Sequence, residues 1–291
     1  MAQSVEQEAL RAETVSTVVN GFALQEFKLK PLLTLETSTS AKETFQQETS
    51  TELTAAGQGR NVKGVPRLAQ PPTLQVTWTE KSAYLQKHMG EAVISWEDSV
   101  TAEISVIART LLRVARAISY STDLAIWDVL SESQSVVNIN SLAIAANAEW
   151  DSANLNSQDP IANLLNARQL IEESNYDMTT GGVLLLNPKN KRTLLSNANV
   201  RNAGQFFTDA PTRNGVIGRI CGLKVIVSPV VTADYCMILK EKECATWHEA
   251  APLKTIITED PGIKFTIRSF AWGVAQLTNP KAICLVSNTD A

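Results

Sequence analysis

The chain has 291 residues, 44% of them hydrophobic, enough to bury a core in one large domain or two modest ones. Its net charge of −4 lacks the basic footprint of a dedicated nucleic-acid binder. Its longest apolar runs, such as Val183 to Leu186 or Val225 to Val227, fall far short of the roughly 18 to 20 residues that cross a bilayer, so no membrane association is expected.

The start, Met1 to Ala12, mixes Gln, Glu and Arg without the apolar stretch of a secretory signal, and the expectation is synthesis and residence in a cytoplasm. Residues to about Glu52 are polar, with one apolar segment from Phe22 through Phe27 to Leu33. So few apolar side chains do not offset the backbone entropy of ordering, and the stretch reads as an arm that needs a surface to lie on. From Thr54 to Pro72, Gly57, Gly59, Gly64, Pro66, Pro71 and Pro72 break any helix or central strand, which predicts a mobile loop. Its flanks are Thr44 to Leu53 and Leu74 to Thr79, the latter alternating at Leu74, Val76 and Trp78 as a half-buried strand does. Together they predict a two-stranded extension with a flexible tip.

The strongest periodicity opens at Ser95, an N-cap with Asp98 three residues on, and runs to about Tyr120. Val100, Ile104, Ile107, Leu111, Val114 and Ile118 form one stripe at spacings of four and three, so a charge at Ile107 is expected to block folding. The opposite face carries Arg109, Arg113 and Arg116 towards the C-terminal end, a polarity that suits the helix dipole. A second helical piece, Asp123 to Leu130, is expected to continue it or kink away. From Ser131 to Asp234 the pattern mixes helices and strands. Asp159-Pro160 opens a helix to about Ser174, and Gly182 to Leu186 is a buried strand feeding, through Asn187-Pro188, another helix. After about Met237 strands dominate, with turns at Asp260-Pro261-Gly262 and Thr278-Asn279-Pro280, and one antiparallel closing sheet is expected. Ile263 to Arg268 alternates strictly, which puts one face under the long helix and leaves Lys264, Thr266 and Arg268 outward.

No chemistry-bearing constellation emerges. Cys221, Cys236, Cys244 and Cys284 make no Cys-x-x-Cys pair and read as reduced, partly buried small residues. Gly57, Gly59 and Gly64 complete no phosphate-binding motif, and prolines follow them where a helix N-terminus would have to stand. Cys244 and His248 sit four apart with no second pair near them, and zinc needs three or four ligands. No nucleophile elbow is present. No catalytic residue, cofactor or metal is therefore assigned.

The order of elements resembles the major capsid protein family of tailed viruses of bacteria and archaea, an α+β fold shared with encapsulins. The most specific likeness lies in Asn214 to Ser228, where Gly215, Ile217, Gly218, Ile220, Gly222, Val225 and Ser228 match a glycine and aliphatic rhythm before the family's final strands. Ser95 to Asp98, Asp159-Pro160, Leu185 to Pro188 and Gly273 to Val286 support it, over a span from about Phe22 to Ser287.

The resemblance implies an N-terminal arm over residues 1–43, an extended hairpin loop over 44–80, and a peripheral domain with a spine helix over 81–130. It further implies an axial domain over 131–236 and a peripheral closing sheet over 237–291. It implies a non-enzymatic virion protein whose copies assemble into pentameric and hexameric capsomers of an icosahedral head. Portal protein and scaffold or decoration proteins are the further partners, and double-stranded DNA is held by confinement. Contacts between copies are then expected at Phe22, Phe27, Gly57, Gly59, Arg60, Lys63, Gly64 and Arg67. Some relatives cross-link a loop lysine to an asparagine; Lys63 and Asn279 occupy such places, with a solvated lysine and a turn asparagine as the plainer reading. An encapsulin shell enclosing a cargo enzyme, or a soluble mixed enzyme, are the alternatives, and micrographs of the purified chain separate shells from small particles.

Overall fold

The computed structural model describes residues 17–19, 22–23, 27–48, 66–70, 78–101, 104–134, 138–152, 157–200 and 218–290. Its strands, in chain order, are β1 (Thr34–Thr37), β2 (Lys42–Glu48), β3 (Trp78–Tyr84), β4 (Gln86–Ser95), β5 (Asn140–Ala143) and β6 (Gly182–Leu186). They continue with β7 (Arg219–Ile220), β8 (Leu223–Val227), β9 (Tyr235–Lys240), β10 (Ala245–Asp260), β11 (Lys264–Leu277) and β12 (Ile283–Ser287). The helices are α1 (Trp96–Thr101), α2 (Ile104–Leu130), α3 (Pro160–Glu172) and α4 (Pro188–Ser196).

Local chemistry sets most boundaries. The Ser95 hydroxyl accepts the Asp98 N–H at 3.0 Å where β4 turns into α1. Asp159 accepts from Ala162 N–H and Asn187 from Lys189 N–H, each with proline at the first helical position, so both sequence-expected starts are present. Residues 102 and 103, between α1 and α2, lie outside the described ones, and α2 runs unbroken through residues 120–123 to Leu130, one of the two courses the sequence left open for Asp123 to Leu130. Its 27 residues span roughly 40 Å at about 1.5 Å each. The unbroken run follows from Thr122, Ile126, Trp127 and Leu130 prolonging the buried face, so no solvent-facing turn interrupts it.

Four strands lie in the order β1-β10-β11-β4, with β1 parallel to β10 and the other pairs antiparallel. α2 covers one face of this sheet. Leu111 and Ala115 meet Ile94 and Ile267, and Val114 and Ile118 meet Ala271, as the alternation in β11 predicts. The side chain of Ile107 lies outside the described ones. A second sheet has the order β5-β12-β9-β6-β8-β7, and Leu164, Ile171 and Leu194 of α3 and α4 pack with its Leu184, Ile238 and Cys284. β2 and β3 form a separate antiparallel pair.

The single closing sheet expected after Met237 is corrected by this topology. β9 and β12 pair with each other inside the six-stranded sheet, while β10 and β11 form a long hairpin in the four-stranded one. Both pairs alternate or bury equally well, so side-chain pattern alone does not assign a strand to a sheet. The base of the hairpin joins the two layers: Ala245, Trp247, Ala275 and Leu277 share one core with Val183, Leu185, Met237, Leu239, Ile283 and Leu285.

Candidate assembly interface

The N-terminal segment is seated on the chain's own body. Leu29, Leu32 and Leu33 are buried in the shared core, and Val19 and Ala23 are buried against Leu111, Ala115 and Ile94. Asp123 of α2, itself buried, fixes the crossing. Its Oδ2 accepts Lys28 N–H at 2.8 Å, and its Oδ1 accepts Leu29 and Lys30 N–H at 3.3 Å each. Burial pushes the Asp123 carboxyl above its ordinary range, against the downward pull of those three donors and of the Lys28 charge. The surface that the apolar segment was expected to need is thus supplied, for residues 27–37, within the same chain, because β1 also adds to β10.

What this seating leaves outward is a groove of about 420 Å³ lined by Phe27, Pro31, Leu35, Pro252 and Leu253, with the Lys30–Glu249 ion pair (2.8 Å) on its wall. The Lys30 ammonium stands 5.1 Å from the Phe27 ring centre and 5.7 Å from that of Trp247. Phe22 and Phe27 are half-buried against Ile94, Leu111 and Ile267.

The β2–β3 pair is tied to the body near its loop-side end and midway along it. Gln47 is buried and donates to the Leu277 carbonyl at 3.0 Å, Asn138 donates to Gln47, and Lys81 lies 3.6 Å from Glu132. Along the pair Thr44, Gln46, Ser82 and Tyr84 are exposed. Arg67 sits in an exposed turn over residues 66–69. Gly57, Gly59, Arg60, Lys63, Gly64 and Gly215 lie outside the described residues.

The face of the four-stranded sheet turned away from α2 bears exposed Met89, Val93, Ile256 and Trp272 around half-buried Phe270. Lys87 stands 5.0 Å over the Phe270 ring, and Arg268 bonds Glu91 through Nε and Nη2 at 2.8 and 2.6 Å. No sequence signal single-handedly marks this patch; it forms only when the register puts Met89 beside Phe270 and Arg268 beside Ile256. Apolar area of this kind, rimmed by charge, is what an association surface offers.

Arg109, Arg113 and Arg116 are exposed on α2, opposite the buried stripe. Gly222 follows Cys221 in a two-residue turn between β7 and β8, and both have positive φ (51° and 80°), which explains glycine at that position. A Cβ at Gly218 would meet nothing within 4 Å among the described residues. Asn279 donates its side-chain amide to the Glu243 carbonyl at 2.8 Å, a turn-stabilising bond. His248 meets Glu36 at 3.4 Å, and among the described residues no group of three His, Cys, Asp or Glu side chains is placed to hold a metal. Burial pushes the Cys244 and Cys284 thiols up to about 12 and Cys236 well above its ordinary value, so these three are protonated, unreactive core residues near neutral pH.

The fold has solved counterparts. A virus-like particle from Pyrococcus furiosus is similar over 94% of this chain and 98% of that one (TM-score 0.64, 12% identity). The capsid of the cyanophage P-SCSP1u matches over 91% and 89% (TM-score 0.67, 12% identity). The mature capsid of bacteriophage PhiM1 matches over 91% and 88% (TM-score 0.60, 14% identity). No curated protein sequence matches. The model of the family described as phage capsid protein matches residues 79–286, and the chain belongs to that family. It is accordingly a structural virion protein that self-associates in an icosahedral shell.

Proposed function

We propose that this chain is the head-shell subunit of a tailed virus, assembling in the host cytoplasm into pentameric and hexameric capsomers around double-stranded DNA, with no catalytic role. The observation that carries the reading is the family match across residues 79–286, joined to a separate β2–β3 pair that packs one face through Gln47 and Lys81 and exposes the other. Many weak contacts around closed rings sum to a stable assembly, so the outward groove beside Phe27, the half-buried Phe22, the β2–β3 extension and the sheet face around Phe270 are the surfaces that meet neighbouring copies. Residues Gly57 to Gly64, with Arg60, Lys63 and Arg67, lie between the two strands of that extension and reach the next subunit. A portal protein and scaffold or decoration proteins complete the head. The likeness to a virus-like particle favours a second reading, a shell around protein cargo.

Removal of Gly57 to Pro72 is expected to leave a folded subunit by circular dichroism while abolishing most closed shells in negative-stain micrographs. Normal shells from that deletion would defeat the assignment of the loop. Wild-type protein that sediments only as small compact particles would defeat the shell reading itself, and purified shells carrying protein cargo without DNA would select the second one.

A further inference from the structure

Ser287 to Asp290, at the end of β12 and just after it, tie together three elements of the six-stranded lobe. The Ser287 carbonyl accepts Ile144 N–H at 3.1 Å and the Thr289 carbonyl accepts Trp150 N–H at 3.0 Å, which holds the loop after β5. Thr289 N–H donates to the Asp234 carbonyl at 3.2 Å and Asp290 N–H to the Asp234 carboxylate at 3.0 Å, which holds the turn before β9. The buried Asn190 amide of α4 donates to Thr289 Oγ1 at 2.9 Å, and the Asn288 amide donates to the Ile144 carbonyl at 3.0 Å. Thr289 is fully buried among these contacts.

The last side chain of this segment is poorly placed to be an anion. It is only 2% exposed, yet neither Asp290 carboxyl oxygen has a hydrogen-bond partner among the described residues. Lys189 Nζ stands 3.3 Å from Oδ2, but that lysine is 43% exposed and keeps much of its hydration. The charges on the other two elements have the carboxyl's own sign: Asp234 before β9, and Glu149 and Asp151 after β5, Glu149 taking the Asn288 amide at 3.4 Å. On β9, the Cys236 thiol is neutral, raised by burial and then by Cys284 and Asp290. A buried carboxylate without donors costs more than a neutral carboxyl. Burial therefore pushes Asp290 above its ordinary range, against the pull of Lys189 and with Asp151 and Asp234 adding to the rise.

We propose that Ser287 to Asp290 form an acid-tightened clasp: a proton taken up at Asp290 locks the segment against the loop after β5, the turn before β9 and α4, and its release loosens all three together. The proposal is independent of the shell reading, because every contact it uses lies within one chain. Where the segment opens, Asp290 meets water and titrates near its ordinary 3.8; closed, it holds its proton to higher pH. The clasp is therefore at its strongest below 3.8, and that strength is lost as pH rises from there through the raised native value. A Lys189–Asp290 pair that simply stabilised the lobe would do the reverse, since ionisation would then tighten the segment and a neutral side chain would weaken it.

The test follows hydrogen exchange by mass spectrometry in the purified full chain from about pH 3.5 to 8, corrected for the intrinsic rate, in peptides covering residues 144–152 and 284–290. Wild type is expected to lose protection there several-fold as pH rises, while Asp290→Asn, neutral throughout, holds protection near the wild-type acid value. Lys189→Met removes the compensating cation and is expected to deepen the loss and extend it to higher pH. A wild-type profile parallel to that of Asp290→Asn overturns the proposal. So does lower protection in Asp290→Asn than in wild type at neutral pH, which would make the ion pair the stabilising element. An equal wild-type loss in residues 268–276 of the other sheet would make the opening global and overturns it too. Should Asp290→Asn not fold, Lys189→Met decides, and an unchanged or shallower profile in that variant overturns the clasp.

Discussion

Asp123 holds three successive backbone N–H groups of a segment 93 to 95 positions earlier, and nothing in the sequence around it announces that task. As a lone acidic residue after Ser-Thr it reads as the cap of a new helical piece. The tertiary partner overrides that local preference. Asp123→Ala leaves those three donors without their acceptor at a net cost of about 3 kcal/mol, read as a lower urea midpoint together with faster proteolysis before Thr34.

His88 shows the same dependence on distant partners. Its Nδ1 meets Ser121 Oγ at 2.9 Å, its ring lies 6.4 Å from that of Trp247, and its Nε2 is buried with no hydrogen-bond partner among the described residues. Burial holds its pKa below the ordinary 6.5. Just below that value the unfolded chain binds a proton that the native chain refuses. The stabilisation from neutral His88 is therefore full above pH 6.5 and lost as pH falls from there through the lowered native value. His88→Gln is expected to flatten the urea midpoint against pH across that window. A profile as steep as wild type would assign the loss to other groups.

Helix caps and strand periodicity were legible because they are encoded within four residues: Ser95, Asp159 and Asn187 each bond a backbone N–H two or three positions on. The partition of strands between sheets was not. Ile283 to Val286 are all buried, and a strand buried on both faces carries no mark of which neighbour it will choose. The reason for glycine at position 273 shows only with the fold in hand. At Gly273 a Cβ would stand 2.5 and 2.7 Å from Trp247 ring carbons and 2.8 Å from the His248 carbonyl, so Gly273→Ala must shift the hairpin or the indole. It is expected to lower stability by about 1 to 3 kcal/mol, seen as a reduced Tm. Gly218→Ala, whose new methyl meets none of the described residues within 4 Å, is expected to leave Tm nearly unchanged.

For the molecule as a whole, the α+β class, an antiparallel β2–β3 pair and the covered sheet could be anticipated from the chain, and the seating of residues 27–37 on their own subunit could not. Burial of Leu29, Leu32 and Leu33 depends on Trp127, Leu239 and Leu277, far off in sequence. Of the candidate contact surfaces, the loop glycines stand out by composition alone. The patch around Phe270 needs three strands in register before Met89, Ile256 and Trp272 become neighbours.

Because the root of the β10–β11 hairpin is built into the same core as β6, β9 and β12, force applied at its far turn, Asp260 to Lys264, cannot be absorbed by a loose joint between the layers. It passes along the paired strands, across the register shifts between Glu249 and Lys254, into the shared interior. Amide exchange should register this as a gradient, slowest at Trp247 and Ala275 and quickening towards Gly262. In the shell proposed above, a neighbour pressing on that turn would load the subunit's own centre, so that stress would be shared among many interiors instead of collecting at the seams.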